Sequence, residues 1–166
     1  MLPLVSVMRT PFIEVHLFRR IGRRVEFLCL RRADTRRLPG VWQPVTGRCR
    51  RGEPPLTAAR REVREETGLE PLRWWALEEP TLLYLAERGE VVAIPVFAAE
   101  LGPRDRVRLS GEHDAQVFLP AAAAGRRYLW ETQRRALDQV RRQVLRGGAL
   151  AAALALPPPR RRGARS

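Results

Sequence analysis

Residues 47–69 read GRCRRGEPPLTAARREVREETGL and hold four glutamates, Glu53, Glu62, Glu65 and Glu66, around one arginine, Arg61. If the stretch is helical, Glu62 lies three and four residues before Glu65 and Glu66, which sets all three on one face. Three bare carboxylates on one face repel one another, weaken the helix and raise each other's pKa. A hard divalent cation removes that penalty, and Mg²⁺ suits such oxygen ligands because it keeps several waters and also binds substrate phosphates. Arg61 precedes Glu65 by four residues and can neutralise or orient it. The plainer alternative for this spacing is a solvated helix face laced with Arg–Glu pairs.

Several features serve to position those carboxylates. Pro54-Pro55 suits a helix start, since proline is tolerated in the first turn, and Gly68 suits its end. Leu56, Ala59 and Val63 form an apolar stripe opposite the glutamates, which packs on a sheet. Gly47 and Gly52 allow the backbone to approach a metal or phosphate closely. Upstream, residues 12–18 (FIEVHLF) and 25–30 (VEFLCL) read as strands of a hairpin turning at residues 21–24. Residues 41–47 (VWQPVTG) read as a short strand that proline places at an edge or interrupts. Strand-like runs follow within 72–86, at 91–97 and at 115–119, and then an amphipathic helix over 131–146 that Gly147-Gly148 ends.

With these residues in view, the segment is similar to the Nudix box: Gly, five residues, Glu, seven residues, then Arg-Glu-aliphatic-any-Glu-Glu-any-Gly-aliphatic. Gly47, Glu53, Arg61, Glu62, Val63, Glu65, Glu66, Gly68 and Leu69 occupy every specified position. The resemblance implies an α+β fold, a mixed β-sheet sandwiched between α-helices, with the box as loop–helix–loop. It implies Mg²⁺-dependent hydrolysis, with Mn²⁺ as the other metal, of a nucleoside diphosphate linked to a further group. Carried over residue by residue, Glu62, Glu65 and Glu66 are catalytic and metal-binding, and the Gly47 carbonyl is a further ligand. Glu62 is alternatively the base acting on water. Arg61 holds the carboxylates in place, and Glu53 is either a weaker ligand candidate or a support for the loop.

The flanks resemble the branch of the family that acts on dATP and dihydroneopterin triphosphate, through the entry Trp42-Gln43-Pro44-Val45-Thr46-Gly47 and the downstream Glu112-His113. That branch usually has tryptophan where Phe118 stands, and an acidic or neutral loop where this chain has Arg48-Cys49-Arg50-Arg51. Glu112 is the candidate for an additional metal carboxylate. Trp42, Gln43, Arg31 and Arg48 are the candidate substrate contacts: an aromatic to stack on a base or pterin, and guanidiniums to clamp phosphates in a bidentate way. Trp42 is equally a core residue, and Arg48 equally a solvated charge. His16 is expected to be structural. Trp74 and Trp75 are expected to serve packing or a partner surface; on a strand they point to opposite faces, and one left exposed would favour a dimer.

The expected activity is thus a pyrophosphohydrolase releasing pyrophosphate and a monophosphate from a nucleoside or pterin triphosphate. The alternatives are a Nudix hydrolase of ADP-ribose, a dinucleoside polyphosphate or an oxidised dNTP, or a non-catalytic module that binds nucleotide or nucleic acid. The chain has 166 residues, 45% of them hydrophobic and 30% charged, enough for one core. Its net charge is +13, and all 31 basic residues are arginine. Total absence of lysine points to coding bias more than to a nucleic-acid face, so nucleic acid is not an expected partner. No apolar run approaches membrane-spanning length, and residues 1–8 lack the basic lead-in of a secretory signal. Two cysteines, Cys29 and Cys49, make no disulfide framework. The expectation is a cytoplasmic monomer or homodimer with one domain over residues 1–147. Residues 148–166, Ala/Leu-rich and then Pro/Arg-rich, are expected to be a disordered tail.

Overall fold

The computed structural model describes residues 8–158. Ten strands and four α-helices follow in order: β1 (Phe12–Ile21), β2 (Arg24–Arg32), β3 (Trp42–Gln43), β4 (Val45–Arg48), α1 (Pro55–Thr67), β5 (Arg73–Ala76), β6 (Thr81–Leu85), β7 (Glu90–Ile94), β8 (Val96–Leu101), β9 (His113–Leu119), α2 (Ala121–Arg127), α3 (Glu131–Gln139), α4 (Gly148–Leu154) and β10 (Ala155–Leu156). A π-helical segment, Val140–Leu145, continues α3, where one amphipathic α-helix over 131–146 was expected. No helix among the described residues is long and apolar enough to cross a membrane.

Eight strands form one mixed sheet. β1 lies parallel to β8 and antiparallel to both β2 and β4. Alternation along β1 sorts its side chains. Ile13, Val15 and Leu17 join the layer under α1, with Ala58, Ala59 and Val63. Phe18 joins the layer under α3 and the π-helical segment, with Ala136, Leu137, Val140 and Val144. The fold is therefore α+β, a mixed sheet between helices, as expected. Trp74 and Trp75 do point to opposite faces, but both are buried, at 4% and 6% exposure, so neither is a free surface. The sandwich has helices on both sides of β5, which covers both indoles.

The proline in residues 41–47 has a specific consequence. β1 and β2 pair only where Phe18 meets Phe27, out to Ile21 and Arg24. Beyond that point they splay. β3 pairs with β2, the chain breaks step at Pro44, and β4 pairs with β1, Ile13 opposite Gly47 and Glu14 opposite Thr46. Pro44 cannot donate a ladder hydrogen bond, so the switch from one strand to the other falls there. Helix α1 matches the expected span, with Pro55 in its first turn and Gly68 in the left-handed conformation at its C-terminus, φ 67°.

The segment after Gly147 differs from expectation. α4 packs on the π-helical segment, and β10 pairs with β5, Ala155 to Trp75 and Leu156 to Trp74. Arg60 on α1 donates a hydrogen bond to the Pro157 carbonyl. The Ala/Leu run supplies apolar side chains, Ala151, Leu154 and Leu156, which the two layers bury or half-bury. The arginines at 160–162 and 165 lie outside the described residues. Ending the chain at Gly147 should remove about 2 kcal/mol of apolar burial and lower the thermal midpoint by about 4–8 °C. An unchanged midpoint in a melting experiment would show that this segment adds nothing.

Candidate active site

Arg61 organises the box. Its Nε and Nη2 donate to the two Glu53 oxygens at 2.9 and 2.8 Å, and Nη1 donates to Glu62 at 2.8 Å and Glu65 at 3.0 Å. Nη2 also donates to the Arg48 carbonyl at 2.9 Å, which closes the loop onto the helix. The fork on Glu53, together with the Arg50 backbone N–H, pulls the Glu53 carboxyl down to about 2. Glu53 therefore supports the loop in this arrangement, and its oxygens are already engaged.

The three helix carboxylates do not share one face equally. Successive helix residues are about 100° apart, so Glu65 turns to solvent and Glu66 turns inward. Their side chains are 49% and 3% exposed. Glu62 lies between them and packs against Gly47, where a Cβ would come within 2.3 Å of its side chain. Only glycine lets β4 lie this close to the carboxylate. Burial, followed by the negative charges of Glu62 and Glu112, pushes the Glu66 carboxyl up to about 9. Its Oε2 faces Nδ1 of His113 at 3.8 Å, too far for a hydrogen bond, and both atoms are buried without a partner among the described residues. Burial and nearby Arg32 and Arg36 lower the His113 pKa, against the pull of Glu112.

An orphaned, buried carboxylate oxygen among like charges fits a cation. Among the described residues no three His, Cys, Asp or Glu side chains close around one point. An ion held by Glu66 and Glu62 would therefore take further ligands from a backbone carbonyl such as that of Gly47, from water and from phosphate, the habit of Mg²⁺.

A cleft of about 820 Å³ opens beside these groups. Glu62, Gly47, Glu112, Gln43 and Arg48 line it, so the structure brings those candidates together. Glu112 is tied to Arg36 at 2.6 Å across the cleft. Gln43 contacts Thr46 at 3.2 Å and Arg32 at 3.4 Å. Arg48 lies over the Phe12 ring. Arg61, Glu65 and Glu66 lie behind or beside Glu62 and do not themselves line the cleft, and Trp42 and Arg31 are not among the cleft residues either. Trp42 packs in the α3-side layer, flanked by the guanidiniums of Arg127 and Arg31 at 4.6 and 5.9 Å from its ring, and Arg31 pairs with Asp114 at 2.7 Å. Strand alternation turns Arg31 and Arg32 to opposite faces of β2, and it is Arg32 that lines the cleft. Sequence reasoning also missed Glu14, Trp130 and Gln133 as lining residues. For Glu14 a signal existed: a glutamate and a histidine two apart in an otherwise apolar strand.

The raised Glu66 pKa fixes a pH dependence. Between the ordinary 4.5 and about 9 the folded chain holds a proton that the unfolded chain has released, so stability falls as pH rises through that window. In EDTA the melting midpoint should decline from about pH 5 to 9, and Glu66→Gln should flatten the decline. Added Mg²⁺ should raise the midpoint most at the alkaline end. A wild-type slope that survives in Glu66→Gln would assign it to another group.

The comparisons accord with this geometry. The NUDIX domain family matches residues 12–140. The octanoyltransferase of Myxococcus xanthus is 38% identical over 118 residues; these make up 70% of this chain but 32% of that protein, so the chain spans about a third of its length. In shape, the chain is similar to an Ap4A hydrolase of C. elegans in a binary complex, with TM-score 0.68, 22% identity, and 81% and 96% of the two chains covered. It is also similar to the dihydroneopterin triphosphate pyrophosphohydrolase of E. coli, with TM-score 0.65, 24% identity, and 80% and 94% covered. With an intact box on a matching fold, the chain belongs to the NUDIX domain family.

Proposed function

We propose that the chain is a Mg²⁺-dependent pyrophosphohydrolase of a nucleoside or pterin triphosphate, releasing pyrophosphate and a monophosphate. The observation that carries this reading is the buried Glu66 carboxyl, unpartnered at Oε2 among the described residues and one helical turn from Glu62, which packs on Gly47 and lines a cleft together with several arginines. The likeness to the E. coli dihydroneopterin triphosphate pyrophosphohydrolase supports the fold side of the argument. A divalent ion bound by Glu62, Glu66 and the Gly47 carbonyl, with Glu65 and Glu112 nearby, would neutralise phosphate charge and make bound water more acidic.

The chain's own groups account for the remaining steps. Arg61 holds Glu62 and Glu65 in fixed orientations, so little reorganisation is needed as charge develops. Arg32, Arg36 and Arg48 line the cleft and supply donors to phosphate oxygens. Water attacks a phosphorus flanking the α–β bridge, and its oxygen forms the new P–O bond. The bridging P–O bond breaks, its electron pair leaves with the departing phosphate, and the water proton passes to a carboxylate. Glu62, which accepts a hydrogen bond from Arg61 and lines the cleft, takes that proton in the alternative in which it is the base and Glu66 and the Gly47 carbonyl hold the ion.

A phosphate-release assay with Mg²⁺ over nucleoside triphosphates, dihydroneopterin triphosphate, ADP-ribose and dinucleoside polyphosphates tests the reading. Signal is expected from a triphosphate and only when inorganic pyrophosphatase is added. Glu66→Gln should cut turnover by about a hundredfold or more with folding retained, and Glu112→Gln by about tenfold. Full activity in Glu66→Gln would refute the site.

A further inference from the structure

Glu62 of α1 lines one end of the cleft. At the other end, polar groups are buried without partners. Glu14 sits on β1 facing away from α1, as does His16, whose ring meets Tyr128 edge-on at 6.0 Å. Glu14 is 5% exposed, yet it lines the cleft. Its Oε1 is 2.8 Å from His16 Nε2, which fixes the carboxylate's direction, and its Oε2 has no hydrogen-bond partner among the described residues. Gln133, in the first turn of α3, also lines the cleft. It is 3% exposed, and its Oε1 is buried and unpartnered among the described residues. A buried amide oxygen without a donor, as at Gln133, is costly unless a ligand meets it, and the second Glu14 oxygen is left available to the cleft.

Around these groups the walls turn apolar. Leu82 and Leu83 come from the β6–β7 hairpin, and Trp130 from the turn before α3; all three are exposed and line the cleft. Apolar, aromatic walls with a few convergent polar groups are the make-up of a site for a flat ring. The strand register relates the two ends. Glu14 pairs with Thr46, and the adjacent Ile13 pairs with Gly47. Heterocycle and phosphates would thus lie on either side of the β1–β4 pair, joined by a sugar or short carbon linker.

We propose that this end of the cleft is a subsite for a heterocycle carrying the 2-amino-4-oxopyrimidine edge, that of a pterin or guanine, with Glu14 as its specificity-determining residue. The proposal rests on the triphosphate reading above for the molecule that carries the ring. An ionised carboxylate only accepts hydrogen bonds. The 2-amino-4-oxo edge offers a ring N–H beside an exocyclic NH₂, two parallel donors for one carboxylate, the mirror of an arginine fork. Adenine offers one NH₂ beside a ring-nitrogen lone pair, which a carboxylate repels. His16 acts as a positioning residue by holding Glu14.

The test is equilibrium binding of GMP, neopterin monophosphate and AMP without Mg²⁺, alongside kcat/KM for GTP, dihydroneopterin triphosphate and ATP. The wild type should bind the GMP and pterin ligands about tenfold or more tightly than AMP. Glu14→Gln keeps a partner for His16 and can pair with adenine through its amide, so the preference should vanish or invert. Loss of folding cannot produce an inversion. In Trp130→Ala, an exposed position, affinity for all three ligands should fall together. AMP binding as tightly as GMP and the pterin in the wild type overturns the proposal. So does a Glu14→Gln variant that keeps the wild-type preference, or one that loses turnover equally on every substrate. Absence of all triphosphate turnover would sink the proposed function, and the binding ratios would still decide this subsite.

Discussion

A single guanidinium holds apart charges that would otherwise disrupt the box. Arg61 touches Glu53, Glu62, Glu65 and the Arg48 carbonyl. A lysine ammonium could not replace it, because these acceptors lie in different directions that a planar fork with five N–H donors can reach together. With Glu53 spent on Arg61 and the loop, Glu62 is oriented against Gly47 and Glu65 is left toward water. Glu66 is the one carboxylate that Arg61 does not touch, and it is the one with an idle buried oxygen. The division of labour among four glutamates follows from which of them that one side chain can reach.

The second constraint is the splayed sheet. β1 and β2 stay paired for four registers and then separate, and the residues around Pro44 fill the gap by pairing first with one and then with the other. This opening gives a single cleft access to side chains from both layers. Glu62 and Gln43 reach it from the α1 side, Glu14 and Gln133 from the α3 side. A sheet paired along its full length would shut the Glu14 side chain away from the cleft.

Much of this was legible in the residues. The bounds of α1 follow from Pro54-Pro55 and Gly68, and the carboxylate site follows from the spacing of Glu53, Arg61, Glu62, Glu65 and Glu66. The interrupted strand at Pro44 was legible as an interruption, but its switch between partners depends on long-range pairing. Arg31 was chosen where Arg32 lines the cleft, because the residues alone do not say which face of β2 borders the cleft. Trp42 offered two roles, and packing between two arginines settled its place. Glu66 turned inward because 3.6-residue periodicity fans neighbouring positions, a refinement that a single-face description overlooks. The order of residues 148–156 was missed because an Ala/Leu run has no signature apart from the surface it covers.

That last segment bears on how copies of the chain treat one another. β5 is four residues long and holds Trp74 and Trp75; among the described residues the sheet continues beyond it as the two residues of β10. Open strand edges template pairing with other molecules, and very short terminal strands blunt that tendency. By taking the seat beside β5, Ala155 and Leu156 leave little backbone there for a second copy to extend. The C-terminal segment thus also guards this side of the sheet against strand-by-strand aggregation.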